Sequence, residues 1–156
     1  MRLALLAFAL VAALPSQAQV RQGLSEVGGS ASLYSYDGPV DRVTVLSLEP
    51  SYGYFFTDRL EAGAAVSYIR LGSGGDSGNL VVFSEYHFGA PGATTVPFLG
   101  VRLGTSFTDE SDIVFGGNGG AKFFFLPGGA ITGELVLLTN GDALNVGAQA
   151  GVSIFF

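Results

Sequence analysis

The sequence predicts an all-β protein, an eight-stranded antiparallel up-and-down β-barrel that spans a membrane. The mean hydropathy is high, +0.45, and 24 of the 156 residues are glycine. After Leu14, however, no apolar run approaches the roughly 18 residues of a membrane helix, so apolar and polar residues are interleaved. The last segment, 143–156, alternates over 14 residues. It is longer than the usual soluble strand of about 5–6 residues and long enough to cross a bilayer.

The N-terminus carries the pattern of a cleaved secretory signal peptide. One charge at Arg2 precedes an apolar run from Leu3 to Leu14, and small residues follow up to Ala18. We therefore expect a signal peptide over 1–18 and one barrel domain over 19–156. That domain would hold 6 basic and 13 acidic residues (6 − 13 = −7), an acidic balance that argues against nucleic acid as a partner. The chain has no cysteine, so disulfides cannot stabilise it.

Eight alternating segments with turn-rich connections predict the eight strands. They run over roughly 23–35, 43–55, 61–68, 79–89, 99–104, 113–126, 132–137 and 143–156. Between the third and the fourth, the glycine-rich piece 72–78 is interpreted as a flexible loop. The fourth segment alternates least cleanly, whereas Asn140-Gly141 is a strong hairpin signal before the last strand. An even number of strands returns the chain to the side where it began, as a closed up-and-down barrel requires.

Ionisable side chains in the middle of these strands all fall on the less apolar face. A Lys or Arg on the lipid face at mid-membrane would cost about 2–4 kcal/mol, so the polar face is predicted to be the lumen. An eight-stranded barrel is only wide enough for its own side chains. We interpret these residues as a buried ion network, or alternatively as the lining of a narrow cation-favouring pore. The lumen residues are Glu49, Glu61, Glu85, His87, Arg102, Lys122 and Glu134.

Aromatic residues of the apolar face gather near the strand ends, which predicts one interfacial girdle at each membrane surface. With both termini on one side, the girdle on that side would contain Tyr52, Tyr54, Tyr86, Phe88, Phe123, Phe125 and the terminal Phe156. The girdle on the opposite side would contain Tyr34, Tyr68, Phe107 and Phe115.

The stretch Leu48-Glu49-Pro50-Ser51-Tyr52-Gly53-Tyr54-Phe55, followed by Thr57-Asp58 and Leu60-Glu61-Ala62-Gly63, resembles the strand–turn–strand signature of small eight-stranded outer-membrane proteins of the OmpX and OmpA-barrel type. Val96-Pro97-Phe98-Leu99-Gly100 resembles the start of their fifth strand. The chain's last alternate residues, Val152, Ile154 and Phe156, resemble their C-terminal insertion signal. The resemblance implies a Gram-negative outer membrane, contact with its lipid and lipopolysaccharide, and biogenesis by periplasmic chaperones and the barrel insertion machinery. We expect a monomer.

Motifs for catalysis or cofactor binding are weak. His87 is the chain's single histidine, and its same-face neighbours are Glu85 and Gly89 rather than a serine nucleophile, so we expect no enzyme activity. The glycine-rich piece before Lys122 lacks the spacing of a phosphate-binding loop. Asp109-Glu110-Ser111-Asp112 is too short and irregular for a calcium loop. We therefore expect no metal and no cofactor.

Three functions are compatible with this sequence. The first is an outer-membrane protein with a structural or surface-interaction role, whose lumen is filled by the charged network. The second is a minor porin that uses the same residues as its pore lining. The third and weakest is a soluble periplasmic barrel of lipocalin shape.

Overall fold

The computed structural model describes residues 20–37, 42–71, 75–90, 92–107, 112–141 and 144–156. Each strand pairs antiparallel with the next, and β8 pairs with β1, so the sheet is a closed barrel as predicted. The predicted signal peptide lies outside the described residues. The strands are β1 Ser25–Asp37, β2 Arg42–Phe55, β3 Leu60–Leu71, β4 Gly75–His87, β5 Thr95–Phe107, β6 Ile113–Leu126, β7 Gly129–Thr139 and β8 Leu144–Phe155.

The two ends of the barrel differ, and we name them by what they carry. The terminal end is where β1 begins and β8 finishes, together with the connections 56–59, 88–94 and 127–128. The far end carries the other four connections. At the terminal end, the Thr57 hydroxyl oxygen accepts hydrogen bonds from the backbone N–H of Leu60 (2.9 Å) and of Arg59 (3.2 Å), which closes the tight β2–β3 turn.

The fourth strand begins earlier than the sequence pattern predicts. β4 starts at Gly75, and its first residues pair with the end of β3, Leu71 with Gly75 and Arg70 with Asp76. Part of the piece interpreted as a flexible loop is therefore sheet. Glycines have no side chain, so they leave no alternation to detect, yet their backbone groups can still complete a hydrogen-bonded ladder. At Gly78 a Cβ atom would come within 2.8 Å of the Ser67 carbonyl oxygen, so this close approach requires glycine.

Alternation along the strands separates an apolar outer surface from a mixed interior. Large apolar side chains in mid-strand are strongly exposed, for example Leu99 at 61% and Val101 at 66% on β5. No helix long and apolar enough to cross a membrane occurs among the described residues.

The terminal end of the lumen is filled by an aromatic and aliphatic cluster that we call the floor. Its members are buried and consist of Leu24, Phe55, Val96, Phe124, Ala130 and Phe155. The Phe155 ring centre lies 5.0 Å from that of Phe124 and 6.3 Å from that of Phe55, distances typical of favourable ring packing. The floor closes the lumen at the end where the predicted signal peptide would precede the barrel.

The ladder that closes the barrel is short. β1 pairs with β2 from Ser25 to Asp37, but it pairs with β8 only from Glu26 opposite Phe155 to Ala31 opposite Ala150. Beyond Ala31, no further β1–β8 pair is formed by the residues that the structure describes. Closure therefore depends on the half of the barrel nearer the terminal end, where the floor lies.

The interior of the barrel has no space for a side chain at Gly63, and this leads to the first prediction. A Cβ atom there would collide with the Tyr52 carbonyl oxygen and come within 2.6 Å of the Phe83 ring, whereas at the outward-facing Gly29 it would have nothing within 4 Å. Gly63→Ala should lower the free energy of unfolding by about 1–3 kcal/mol through overpacking. Gly29→Ala should leave it unchanged or slightly raised. Urea unfolding of the refolded protein in micelles, followed by circular dichroism, measures both, and equal effects of the two variants would contradict this packing.

Candidate functional site: the barrel lumen

Arg102 on β5 holds two carboxylates inside the barrel. Its Nη1 donates a hydrogen bond of 2.7 Å to Glu49 Oε1 on β2, and its Nη2 lies 3.3 Å from Glu134 Oε2 on β7. The three residues come from strands that are not neighbours in the sheet, so their side chains meet across the lumen. Arg102 and Glu49 are buried, and charge-assisted hydrogen bonds of this kind are among the stronger ones in proteins.

Lys122 on β6 organises a second group nearer the floor. Its ammonium group donates hydrogen bonds to Glu26 Oε2 and to Glu61 Oε2, the latter at 3.0 Å, and lies 3.7 Å from Glu85 Oε2. The same nitrogen lies between 5.5 and 5.7 Å from the ring centres of Phe55, Phe98 and Phe155. The ammonium is thus placed between carboxylates and aromatic rings, and both kinds of group attract a cation.

Two amide side chains link the Arg102 group to the Lys122 group. Asn118 donates through Nδ2 to Glu85 Oε1 at 2.7 Å and to Glu134 Oε2 at 3.0 Å. Gln149 donates through Nε2 to Glu134 Oε1 at 2.6 Å and to Glu49 Oε1 at 3.4 Å. Both ion groups therefore belong to one hydrogen-bonded network, which we call the lumen network.

Glycines on neighbouring strands give these side chains their space. A Cβ atom at Gly53 would overlap the Glu61 carboxylate, and one at Gly100 would come within 2.5 Å of Asn118 Oδ1 and 2.8 Å of Glu85 Cγ. Both glycines face the lumen directly beside the charged residues. Larger residues at these positions would push the carboxylates out of contact with their partners, so glycine is part of how the sequence builds the site.

His87 lies between the network and the floor. Its side chain is 1% exposed, and its ring centre lies 5.1 Å from the Phe55 ring and 5.6 Å from the Phe98 ring. Neither Nδ1 nor Nε2 of His87 forms a hydrogen bond. Its Nε2 points toward two carboxylates, at 3.6 Å from Glu61 Oε2 and 3.8 Å from Glu85 Oε2.

The free space around the network is small. A cavity of about 40 Å³ is lined by both basic residues and by all five carboxylates of the network. Such a volume holds only a few water molecules, since each needs roughly 10–15 Å³. Toward the far end, a wider cavity of about 250 Å³ is lined by polar residues that include Ser32, Ser47, Ser67 and Asn79.

All seven lumen residues expected from the sequence point into the barrel, and the structure adds members that the sequence analysis did not assign to the network. Glu26, Asn118 and Gln149 join it, and Phe55, Phe98, Phe124 and Phe155 lie beneath or beside it. The alternation along each strand could have identified them, because residues separated by an even number of positions point to the same face of a strand. Each of these residues lies on the lumen face of its strand by this rule. The sequence gives no direct signal for which of them meet.

The aromatic side chains assigned to girdles lie on the outer surface wherever the structure describes them. Apart from Phe156, nine of the ten assigned residues are exposed, and the tenth, Tyr34, has a side chain outside the described set. Phe56 in the β2–β3 turn, which the sequence analysis did not assign, is also exposed and packs edge-to-face on Tyr54 with ring centres 5.1 Å apart. In that turn Arg59 donates a hydrogen bond of 3.3 Å to the Tyr86 hydroxyl, and this contact raises the pKa of the Arg59 guanidinium. Eight of these nine exposed residues lie in strands and Phe88 directly follows β4; the nine are Tyr52, Tyr54, Tyr68, Tyr86, Phe88, Phe107, Phe115, Phe123 and Phe125.

The three residues assigned to a C-terminal insertion signal also face outward. Val152, Ile154 and Phe156 are exposed on the apolar side of the last strand, while Phe155 between them is completely buried in the floor. The final residues thus present one apolar stripe outside and one aromatic anchor inside.

Solved structures with similar architecture are small membrane barrels. The chain aligns with the N-terminal β-barrel domain of OprF from Pseudomonas aeruginosa at a TM-score of 0.67 and 18% identity, covering 86% of this chain and 98% of that one. Neisserial surface protein A aligns at a TM-score of 0.67 and 16% identity, with the same coverage of both chains. OprG from Pseudomonas aeruginosa aligns at a TM-score of 0.54 and 15% identity, covering 91% of this chain and 99% of that one. The chain has the fold of the small eight-stranded outer-membrane barrels. No protein-family model and no curated protein sequence matches it.

The Arg102 contacts generate the second prediction. Arg102→Ala leaves Glu49 and Glu134 buried without their cation, which should destabilise the barrel by about 3–5 kcal/mol. Arg59→Ala is the matched control, because it removes an arginine that is exposed in the β2–β3 turn and should have little effect. The temperature of the heat-dependent gel shift reports both variants. Similar shifts for the two would show that Arg102 is not a buried ion partner.

Proposed function

We propose that the protein is an integral outer-membrane barrel with a closed lumen and a structural or surface-interaction role. The apolar outer surface supports membrane insertion, because exposed apolar side chains cover the middle of the strands while ionisable ones lie inside. The similar solved structures are described as an outer-membrane protein, a surface protein and designed transmembrane barrels, which supports the same location. Bilayer lipid and lipopolysaccharide would surround the barrel, and chaperones and the insertion machinery would act on it during export.

The floor is the single observation that carries the closed-lumen proposal. Phe55 and Phe155 are fully buried, with Phe124 against Phe155, and they fill the terminal end below Lys122. Above them the lumen network leaves only the cavity of about 40 Å³. An ion crossing the barrel would have to displace aromatic rings and separate buried ion pairs, and both changes are costly.

A minor cation-favouring porin is the second candidate, and one observation favours it. Four buried carboxylates and the half-buried Glu134 face two basic residues in the network, so the lumen potential would attract cations. The wider cavity of about 250 Å³ at the far end would supply an entrance of suitable polarity. Conduction would then require the floor and the lumen network to rearrange together.

A soluble barrel of lipocalin shape and a catalytic barrel fit the structure less well. A lipocalin encloses a ligand in its interior, whereas this lumen is filled by side chains. Around His87 the described contacts are carboxylates and aromatic rings, not a hydroxyl nucleophile. We therefore propose a non-enzymatic membrane protein that acts as a monomer.

Membrane insertion generates the third prediction, which uses two outward positions of β5. Val101 lies at the middle of the strand and Thr95 at its terminal-end start. Val101→Arg should destabilise the inserted barrel by about 2–4 kcal/mol, and Thr95→Arg by about 0–1 kcal/mol, because the cost of a lipid-facing arginine depends on depth. Unfolding by guanidinium in phospholipid vesicles measures the difference. Equal effects would contradict a bilayer around the middle of β5.

Single-channel recording tests the closed-lumen role. The refolded protein, shown to be folded by its heat-dependent gel shift, should give no discrete openings in a planar bilayer. Phe55→Ala combined with Phe124→Ala removes two of the three aromatic rings of the floor while retaining the charged residues of the network, and should increase the leak through the barrel. Reproducible cation-selective openings of the unmodified protein would refute the closed lumen and support the porin.

A further inference from the structure

Three side chains in the terminal half of the lumen converge on one point. Glu61 lies at the start of β3, and Glu85 and His87 alternate at the end of β4, so all three face inward. One potential ligand atom from each lies within 4.8 Å of the other two. The three residues are buried, with His87 and Glu61 each 1% exposed. This arrangement brings one imidazole nitrogen and two carboxylate oxygens together away from solvent.

His87 is the observation that points to a ligand. Its Nε2 atom is buried without a hydrogen bond, although buried polar groups are normally satisfied. The rings of Phe55 and Phe98 hold the imidazole in place, so that Nε2 faces the carboxylates at 3.6 Å and 3.8 Å. These distances are too long for good hydrogen bonds. They leave room for an atom between the nitrogen and the two oxygens.

The spacing fits a metal ion. Ligand nitrogen and oxygen atoms bind zinc at about 2.0–2.2 Å, and tetrahedral geometry then places neighbouring ligand atoms roughly 3.3–3.6 Å apart. The separation of His87 Nε2 from Glu61 Oε2 is already 3.6 Å, and its separation from Glu85 Oε2 exceeds this range by only a few tenths of an ångström. The third separation, between the two carboxylate oxygens, lies within 4.8 Å, so rotation of the carboxylates would be needed to bring all three ligand atoms onto one ion.

The charges around Lys122 are unbalanced without a further cation. Its ammonium contacts Glu26, Glu61 and Glu85, so three carboxylates face one positive charge and the ionised group carries a surplus of two negative charges. Buried charge without compensation is unfavourable. A divalent cation would neutralise this surplus. Because the Lys122 ammonium contacts the same two oxygens, Glu61 Oε2 at 3.0 Å and Glu85 Oε2 at 3.7 Å, it would have to move toward Glu26 when the ion binds. Glu61 can contact both Lys122 and a metal, since an ionised carboxylate offers about four lone-pair sites.

We propose that Glu61, Glu85 and His87 form a binding site for a divalent transition-metal ion of the zinc class. Imidazole together with carboxylate suits zinc and its first-row neighbours, whereas calcium and magnesium prefer oxygen ligands alone. Three protein ligands would leave one position for water, and the adjacent cavity is lined by Glu61 and Glu85, though not by His87. The ion would connect β3 and β4 directly above the floor and stabilise that end of the barrel by mass action. This site would exist whether or not the lumen conducts.

Titration calorimetry with Zn²⁺ alone tests the proposal on the refolded, chelator-treated protein in detergent. One ion per barrel is expected. His87→Phe retains a ring between Phe55 and Phe98 but removes the ligand nitrogen, and should weaken Zn²⁺ binding at least tenfold. Asp58→Asn, which removes an exposed carboxylate at the same end, should leave binding unchanged. With Co²⁺ in place of Zn²⁺, visible absorption bands of a nitrogen- and oxygen-ligated ion should appear in the unmodified protein and disappear in His87→Phe.

Folding of each variant is checked by the heat-dependent gel shift. If His87→Phe does not fold, Glu85→Gln replaces it, because a glutamine can still accept the Asn118 hydrogen bond while it removes one ligand charge. The proposal is overturned if the unmodified protein binds no Zn²⁺ beyond what the folded variant binds. That result would mean that bound protons, rather than a metal, balance the surplus charge.

Discussion

The constraint on which the structure depends is the burial of charge in a lumen only a few side chains wide. Five carboxylates and two basic groups have little water to solvate them, so each must find a partner across the barrel. Arg102 and Lys122 each hold carboxylates from other strands, and Asn118 and Gln149 connect the resulting groups. The same network contains at least one residue from each of the eight strands, so it connects the whole circumference of the barrel through the interior. The carboxylates outnumber the basic groups, so the excess negative charge must be balanced by a bound cation or by bound protons.

The two ends of the lumen serve different purposes in this arrangement. The floor excludes water below Lys122, which strengthens every electrostatic contact above it. Its aromatic rings also fix His87 and lie near the ammonium of Lys122. Toward the far end the interior becomes wider and is lined by both polar and apolar side chains, and the β1–β8 ladder stops at Ala31. The half in which β1 pairs with β8 therefore coincides with the half that contains the floor and the Lys122 ion pairs, and the proposed metal site lies in that half.

The sequence predicted the fold and the face of each residue better than it predicted contacts. A period of two is a local property, so the inward direction of Glu49 and Arg102 could be predicted from their neighbours. Their meeting could not, because it depends on strand register and barrel shear. Residues 75–78 were misassigned to a loop because Gly75 and Gly78 leave only two side chains between them, too few to show alternation. Alternation along their strands placed Glu26 and Phe155 on the lumen face. Near a strand end, however, the sequence does not show whether a side chain contacts the network, packs in the floor or is exposed to solvent.

A double-mutant cycle between Arg102 and Glu49 tests the buried network most directly. The two residues lie on β5 and β2, which are not neighbours in the sheet, so they can be coupled only through the lumen. Arg102→Met, Glu49→Gln and the double variant are unfolded in the same micelles. A buried ion pair predicts an interaction energy within the range of about 0.5–3 kcal/mol, with the double variant more stable than the sum of the single effects. Additive effects within about 0.3–0.5 kcal/mol would contradict a lumen organised by these ion pairs.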